Sequence, residues 1–532
     1  MSSRASAPEL SDEAQRHRQV MQALTGLLLG MFVSMLAGTV VGTSLPRIIN
    51  ELGGDQAAFT WVITANLLAT TVATPIWGKF ADMFRRKLLM QLAISGFTLA
   101  SIGAGFATGT GDLIFWRVLQ GLAGGGMAAL SQVIMADILS PRERGRYMGW
   151  FGAVMATATV GGPLIGGFIT DGIGWRWNFW ILAPFTVITL ITLQRTLHLA
   201  HQKRENVKVD YAGAVFLSGG AATFLLWVSF GGKQFEWLSW ESAALLGASL
   251  VLIAITLLIE RKVAEPIMPL SLFKNRTFTL ATIASLGVGL TMFGATVYLG
   301  QYMQLARGAS PSEAGLMTLP LVAALLISST VIGQIISRNG KWKAWVVAGT
   351  TAVAVGLALL GTIHFDTPYW LLVIYMFILG AGIGACMQNM VLAVQNSIDP
   401  RQMGVASSGV TFFRSLGGTA GVAALGAVLG NRILALMTEK AADLQDAIAH
   451  LGEAGKGIAT SLASGVLPNV RELPDSVRVI VESAYGDAVA TVFLVAAPLA
   501  IISIIAAAFM PNSTLGTKNN QERLAELKAD NA

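Results

Sequence analysis

The chain has 532 residues, of which 54% are hydrophobic and only 12% charged. Soluble domains carry about 25% charge, so the composition excludes a soluble enzyme or binding module and points to a protein built into lipid. A net charge of +6 would suit a nucleic-acid partner in a soluble chain, but in a membrane protein the placement of charge carries the information, and no nucleic-acid partner is expected. The single cysteine, Cys386, lies in an apolar run and excludes a disulfide framework within the chain.

Crossing a bilayer takes about 20 apolar residues. Residues 1–20 are polar, mixed in charge, and read as a tail. The run 21–45 is too long for a signal peptide and lacks a small-residue cleavage site, so it reads as a retained helix. Runs at 58–77, 88–107, 113–136, 147–170 and 178–195 follow. The stretch 196–276 is a linker holding two more, 211–231 and 241–260. Runs at 277–302, 314–336, 344–362, 369–395, 404–430 and 487–510 come next, with a long loop, 431–486, before the last. Residues 511–532 form a second polar tail. The expected fold is an all-α polytopic membrane protein with 14 transmembrane helices: one six-helix half over 21–195, an inserted pair in 196–276, and a second half over 277–510.

Lysine and arginine test the count, because cytoplasmic loops are enriched in both. The two tails and every second loop between them hold 25 of the 36. The other short loops hold four, Arg47, Arg176, Lys233 and Arg307, and the long loop 431–486 holds five. This asymmetry predicts a multi-pass protein of the cell membrane (the inner or cytoplasmic one) with both termini in the cytoplasm. The loop 431–486 then lies outside. Alternating Ala, Leu and charged residues from Arg432 to His450 suit an amphipathic helix on the membrane surface or against an external partner; a solvated extension of the preceding helix fits equally.

Two loop motifs recur. Gly78-x-x-x-Asp82…Arg86-Lys87 has an echo at Gly333-x-x-x-Ser337-Arg338-Asn339-Gly340-Lys341, 255 residues on. Pro141-Arg142-Glu143-Arg144-Gly145 has one at Pro400-Arg401-Gln402-Met403-Gly404, 259 residues on. The same order at nearly the same offset argues for duplication into two parallel halves.

The stretch Gly78 to Met90, GKFADMFRRKLLM, resembles the loop signature of the major facilitator superfamily, with Gly78, Asp82, Arg86 and Lys87 in place and Arg85 where the pattern has glycine. Leu36 to Pro46, Arg117 to Gly121, the Gly162-Pro163-x-x-Gly166-Gly167 run, Asp210 to Gly213 and Arg414-x-x-Gly417-Gly418-x-x-Gly421 resemble further motifs of the superfamily's fourteen-span drug:proton antiporter branch. The resemblance implies a secondary transporter of the multidrug efflux type. It implies that Gly78, Asp82, Arg86, Lys87 and Asp137 latch one conformation, with an ordinary surface ion pair as the alternative. It also links Gly162, Pro163, Gly166 and Gly167 to the direction of transport, with a simple packing kink as the alternative. The energy source it implies is the proton gradient, with no cofactor.

Arg117 and Arg414 are the two charges placed inside spans. Arginine in hydrocarbon costs several kcal/mol, so both should face the bundle or a water-filled cavity unless Arg117 reaches the interface. None of the 30 acidic residues falls near the middle of a span, and the branch pattern's Asp and Asn are replaced by Ala37 and Gly42. The carboxylates left for proton coupling are Asp82, Asp137, Asp112 and Asp487. A pocket with Arg414 and no deep acid fits neutral or anionic amphiphiles at least as well as cations. Asn66, Gln120, Tyr298, Gln301, Gln388, Asn389, Met390 and Phe413 are the candidates for lining a substrate cavity. The five histidines all fall outside the spans, and there is no metal cluster or Walker A loop. The expected activity is therefore export of lipophilic small molecules, not an enzyme reaction. A dedicated exporter of one metabolite or lipid is the rival within transport, and a membrane-embedded enzyme or sensor is the remote rival outside it.

Overall fold

The computed structural model describes residues 7–54, 56–197, 210–232, 234–263, 265–451, 470 and 473–530. Fourteen long helical segments follow the expected order: α1 (Ala7–Glu51), α2 (Gln56–Met83), α3 (Arg86–Gly105), α4 (Thr110–Ile138), α5 (Pro141–Gly172), α6 (Trp177–Thr196), α7 (Tyr211–Phe230), α8 (Trp240–Glu260), α9 (Arg276–Leu305), α10 (Glu313–Asn339), α11 (Lys343–Leu360), α12 (Tyr369–Ser397), α13 (Met403–Glu439) and α14 (Asp475–Phe509). A short α15 (Asn520–Ala529) ends the described chain.

Among the described residues, twelve of these segments are long and apolar enough to cross a membrane. The other two, α2 and α5, have 28 and 32 residues, and several of their side chains lie outside the described residues. Both lie where the two halves meet, so they face protein more than lipid. In α2 the hydroxyls of Thr70, Thr71 and Thr74 bond back to carbonyls one turn earlier, which satisfies them without water.

The helix ends follow local chemistry. α5 starts at a reciprocal cap, in which Ser140 accepts from the Glu143 amide and Glu143 from the Ser140 amide, with Pro141 next. Asp210 and Asn275 cap α7 and α9. Gly340 closes α10 at φ +71°, a left-handed position that favours glycine.

The two groups of six pack by one scheme. In the first, α1 lies against α5 and α6, α2 against α4, and α3 against α4 and α6. In the second, α9 lies against α13 and α14, α10 against α12, and α11 against α12 and α14. Each pairing in one half has its counterpart in the other, as duplication requires. The halves meet along two seams, α2 with α13 and α5 with α10. The inserted α7 and α8 pack on each other, and α7 touches α2 and α13.

Three elements outgrow their apolar runs. α1 begins at Ala7, inside the polar tail, and α14 begins at Asp475. α13 continues to Glu439, and after a break at Lys440 the helix Ala441–Ala449 follows. Leu444, Ala447 and Ile448 pack against the core of the second half, and the Lys440 ammonium donates to Ser483 Oγ at 2.5 Å. This segment thus extends α13 and packs against α14. Residues 452–469 and 471–472 of the same loop, and His198 and His201 of the linker, lie outside the described residues.

Candidate functional site

The face that carries most of the lysine and arginine, called the basic face below, is where the two halves are joined by polar contacts. Gly78 brings α2 against the start of α13 so closely that a Cβ there would sit 1.8 Å from Ser408 Oγ. One turn later the buried Asp82 carboxylate accepts from the backbone amides of Gly404 at 2.7 Å and Val405 at 2.9 Å. These are unpaired donors at the N-terminus of α13, where the helix dipole favours negative charge. Across the other seam, Arg142 at the start of α5 donates from Nε to the Ser337 carbonyl at 2.8 Å and from a terminal nitrogen to the Arg338 carbonyl. Those carbonyls lie at the C-terminal end of α10, the end that favours a cation.

The two joints are related. Asp82 and Ser337 are equivalent positions of one repeated motif, and Gly145 and Gly404 belong to the other. Each motif of one half meets the opposite motif of the other half. The repeats visible along the chain are therefore partners in space.

Arg86 ties the first joint into its own half. Its guanidinium pairs closely with Asp137 and lies 3.6 Å from Asp82 Oδ1, and its Nε donates to the Ala81 carbonyl at 2.9 Å. Lys87, expected in the same cluster, instead donates to the Gln194 carbonyl at 2.9 Å near the end of α6. Arg85, in the place of the pattern's glycine, has φ −63° and ψ 110°. Only Phe84 and Arg85 separate α2 from α3, and this extended backbone admits any side chain, so glycine is not needed.

Several partners escaped the sequence reading. Buried Lys79 pairs with Glu265 of the linker at 2.6 Å. Asn520 of α15 donates to Asp137 at 3.0 Å, and Arg523 donates to the Gln395 and Ile398 carbonyls at 3.0 and 2.8 Å. The second tail thus lies across the basic face and touches both halves. A charged tail with one amphipathic turn gives no local sign of this docking.

A family description, Major Facilitator Superfamily, matches residues 27–422. The chain belongs to this superfamily. It is 35% identical over 476 residues to "Multidrug transporter protein MdtP" of Bacillus subtilis (strain 168), covering 89% of this chain and 87% of that protein. It is 30% identical to "Multidrug resistance protein 3" of the same organism, covering 92% and 95%. The solved structure of the "proton:xylose symporter XylE" superposes with a TM-score of 0.59 at 12% identity, over 96% of this chain and 99% of that one; this likeness concerns the fold. As a member of the Major Facilitator Superfamily the chain is a multi-pass membrane transporter and not an enzyme, and the two six-helix halves with an inserted pair are its architecture.

Within this superfamily fold the remaining expected residues separate into distinct places. Gly162 and Gly166 lie where α5 presses on α1: a Cβ at Gly162 would sit 2.0 Å from Thr39 Oγ1, and one at Gly166 2.8 Å from the Val40 carbonyl. Gly167 faces open space, and the side chain of Pro163 lies outside the described residues. The same interface holds a buried network in which Asn178 donates to Ser44 and Thr170 at 2.6 and 2.7 Å. Arg117 is buried; it donates to Gln120, which donates to Ser101 at 2.7 Å, while Asn66 donates to the Arg117 carbonyl at 2.9 Å. Arg414 is also buried and donates to the Met387 carbonyl of α12 at 3.1 Å.

The cavity candidates do not form one group. Asn66 and Gln120 belong to the Arg117 network. Tyr298 is buried against α13, where its hydroxyl donates to the Val422 carbonyl, and Gln301 is half-buried one turn on. Met390 is buried and its sulfur accepts from Ser285 at 3.2 Å. Gln388 meets Gln132 of the first half at 3.2 Å, beside Asn389, at a gap of about 10 Å³. Phe413 faces outward, towards the inserted pair. Asp112 and Asp487 sit at the opposite face, Asp112 accepting from the Thr108 amide at 3.2 Å and Asp487 facing His364 Nδ1 at 2.9 Å.

Proposed function

We propose that this transporter exports lipophilic or amphiphilic small molecules from the cytoplasm or inner leaflet by alternating access, driven by proton entry. The basic face is then the cytoplasmic one, both termini lie on that side, and the cell membrane is its site. The observation that carries this reading is the crossed pair of joints. Asp82 holds the α13 amides and Arg142 holds the α10 carbonyls, so both seams are fastened on the same face. Charge-assisted bonds of this kind contribute about 1.5–3 kcal/mol each. They can be broken and remade without unfolding a helix, as a reversible latch requires. Gly78, Asp82, Arg86 and Asp137 form its first arm, and Gly162 and Gly166 let α5 pivot closely on α1. The multidrug names of the relatives support the efflux direction and a loosely specified substrate.

Flux in proteoliposomes with an imposed pH gradient tests this, across cationic, neutral and anionic lipophilic compounds. Gradient-dependent flux of several unrelated compounds is expected, cut at least tenfold in Asp82→Asn, with insertion intact. Flux of one compound only would make this a dedicated exporter. Flux indifferent to the gradient would remove proton antiport, and no flux of any compound would remove export.

A further inference from the structure

The inserted pair does more than lie against the core. Between α7, α8 and α13 is an apolar chamber of about 180 Å³. Its walls include Ala221 and Phe224 of α7, Met268 of the linker, and the rings of Phe273, Phe412 and Phe413. The last three form an aromatic corner, with Phe412 and Phe413 centroids 5.1 Å apart at 73° and Phe273 and Phe413 6.2 Å apart at 89°. Ile253, Leu257 and Phe273 also line it, yet are 37%, 43% and 36% exposed. On a helix pair inside a membrane such exposure faces lipid, so the chamber is open to the bilayer.

Among the described residues one charged side chain lines the chamber, that of Glu260, the last residue of α8. It is 6% exposed, and both its oxygens share the Met268 amide, at 2.9 and 3.2 Å. The Ile267 amide is a second backbone partner, and Lys79 and Asp210 lie within electrostatic reach of the carboxylate. No lysine, arginine or histidine among the described residues forms an ion pair with it. Glu260 and Leu270 also line a polar groove of about 520 Å³ on the basic face, which holds Asp82 and Lys79. Glu260 and Leu270 thus form a wall common to the chamber and to the groove beside Asp82.

An apolar aromatic box whose one charged side chain among the described lining residues is a carboxylate matches a bulky cation: ring faces attract positive charge, and a buried carboxylate with no direct ion pair among the described residues attracts a counter-ion. We propose that the inserted pair builds a second binding site, separate from any central cavity, which takes a lipophilic cation from the inner leaflet with Glu260 as its counter-ion. The twelve-helix core has no acid near the middle of a span, and Ala37 stands where the resemblance expects one. The carboxylate that reads cationic charge is thus carried by the insertion. This deepens the export reading, but binding is measured without a gradient, so the site is judged apart from transport.

The full chain in nanodiscs is titrated with tetraphenylphosphonium and tetraphenylborate, ions of one shape and opposite charge. The wild type should bind the cation about tenfold more tightly or better. Glu260→Gln, which keeps an acceptor for the Met268 amide, should remove that preference by weakening cation binding alone. Ala221→Phe should weaken it by filling the chamber; Leu257→Trp, on the lipid side, serves if the first variant does not fold. Equal affinity for the two ions in the wild type would overturn the proposal, as would an unchanged cation affinity in Glu260→Gln. Equal losses of both ions in Glu260→Gln, or intact cation binding with the chamber filled, would overturn it as well.

Discussion

Replacing Gly78 by alanine tests the seam with no change of charge. The added Cβ would sit 1.8 Å from Ser408 Oγ, 2.4 Å from Ser408 Cβ and 2.8 Å from the Gly404 carbonyl oxygen. Carbon contacts settle near 3.5–4.0 Å, so α13 must retreat by more than about 1 Å or Ser408 must leave its place. Ser408 has little freedom, being buried with its hydroxyl bonded to the Val405 carbonyl at 3.1 Å. Overpacking of this kind costs about 1–3 kcal/mol. Only the state in which α2 touches α13 bears that cost, so the balance should move towards an open basic face by about 5- to 150-fold. Spin labels at Phe84 and Arg401, both exposed beside the seam, would report the change by pulsed paramagnetic resonance in nanodiscs. Gly78→Ala should add a longer distance. Ser408→Gly in the same chain should reduce it, because the two nearest clashing atoms are gone. A folded Gly78→Ala protein with the wild-type distance distribution would refute the reasoning.

Two other expectations concern topology and charge. Cysteines placed at 85–87 and within 440–451 should react with impermeant reagents from opposite sides of the membrane; labelling from one side would dismiss the fourteen-span arrangement. Arg414→Lys should weaken binding of an acidic amphiphile more than of its neutral analogue, and Arg414→Ala more still, because lysine lacks the five-donor fork. Equal losses for the two ligands would reduce Arg414 to the bond it makes with Met387.

The sequence alone determined the helices and their number. Each span must bury its own backbone polar groups and present an apolar surface about 20 residues long, and both properties are local. The alternation of lysine and arginine then set the order of faces, and the repeats at Gly78 and Pro141 indicated two halves. That Asp82, Arg86 and Asp137 meet was legible because their motif lies within one short stretch and the next loop. Where Lys87 points was not, since its partner, the Gln194 carbonyl, belongs to α6. What Asp82 holds, the amides of Gly404 and Val405, lies 322 and 323 residues away, and only packing brings these groups together. The same holds for the pairing of Arg142 with the Ser337 carbonyl, for Asn520 on Asp137, and for Phe413, whose helix position gave no sign that the inserted pair stands before it. Glu260 is the last residue of the apolar run 241–260. It became a candidate binding group only when three separate segments closed an apolar wall around it, because the environment of a charge is set by what surrounds it and not by its neighbours along the chain.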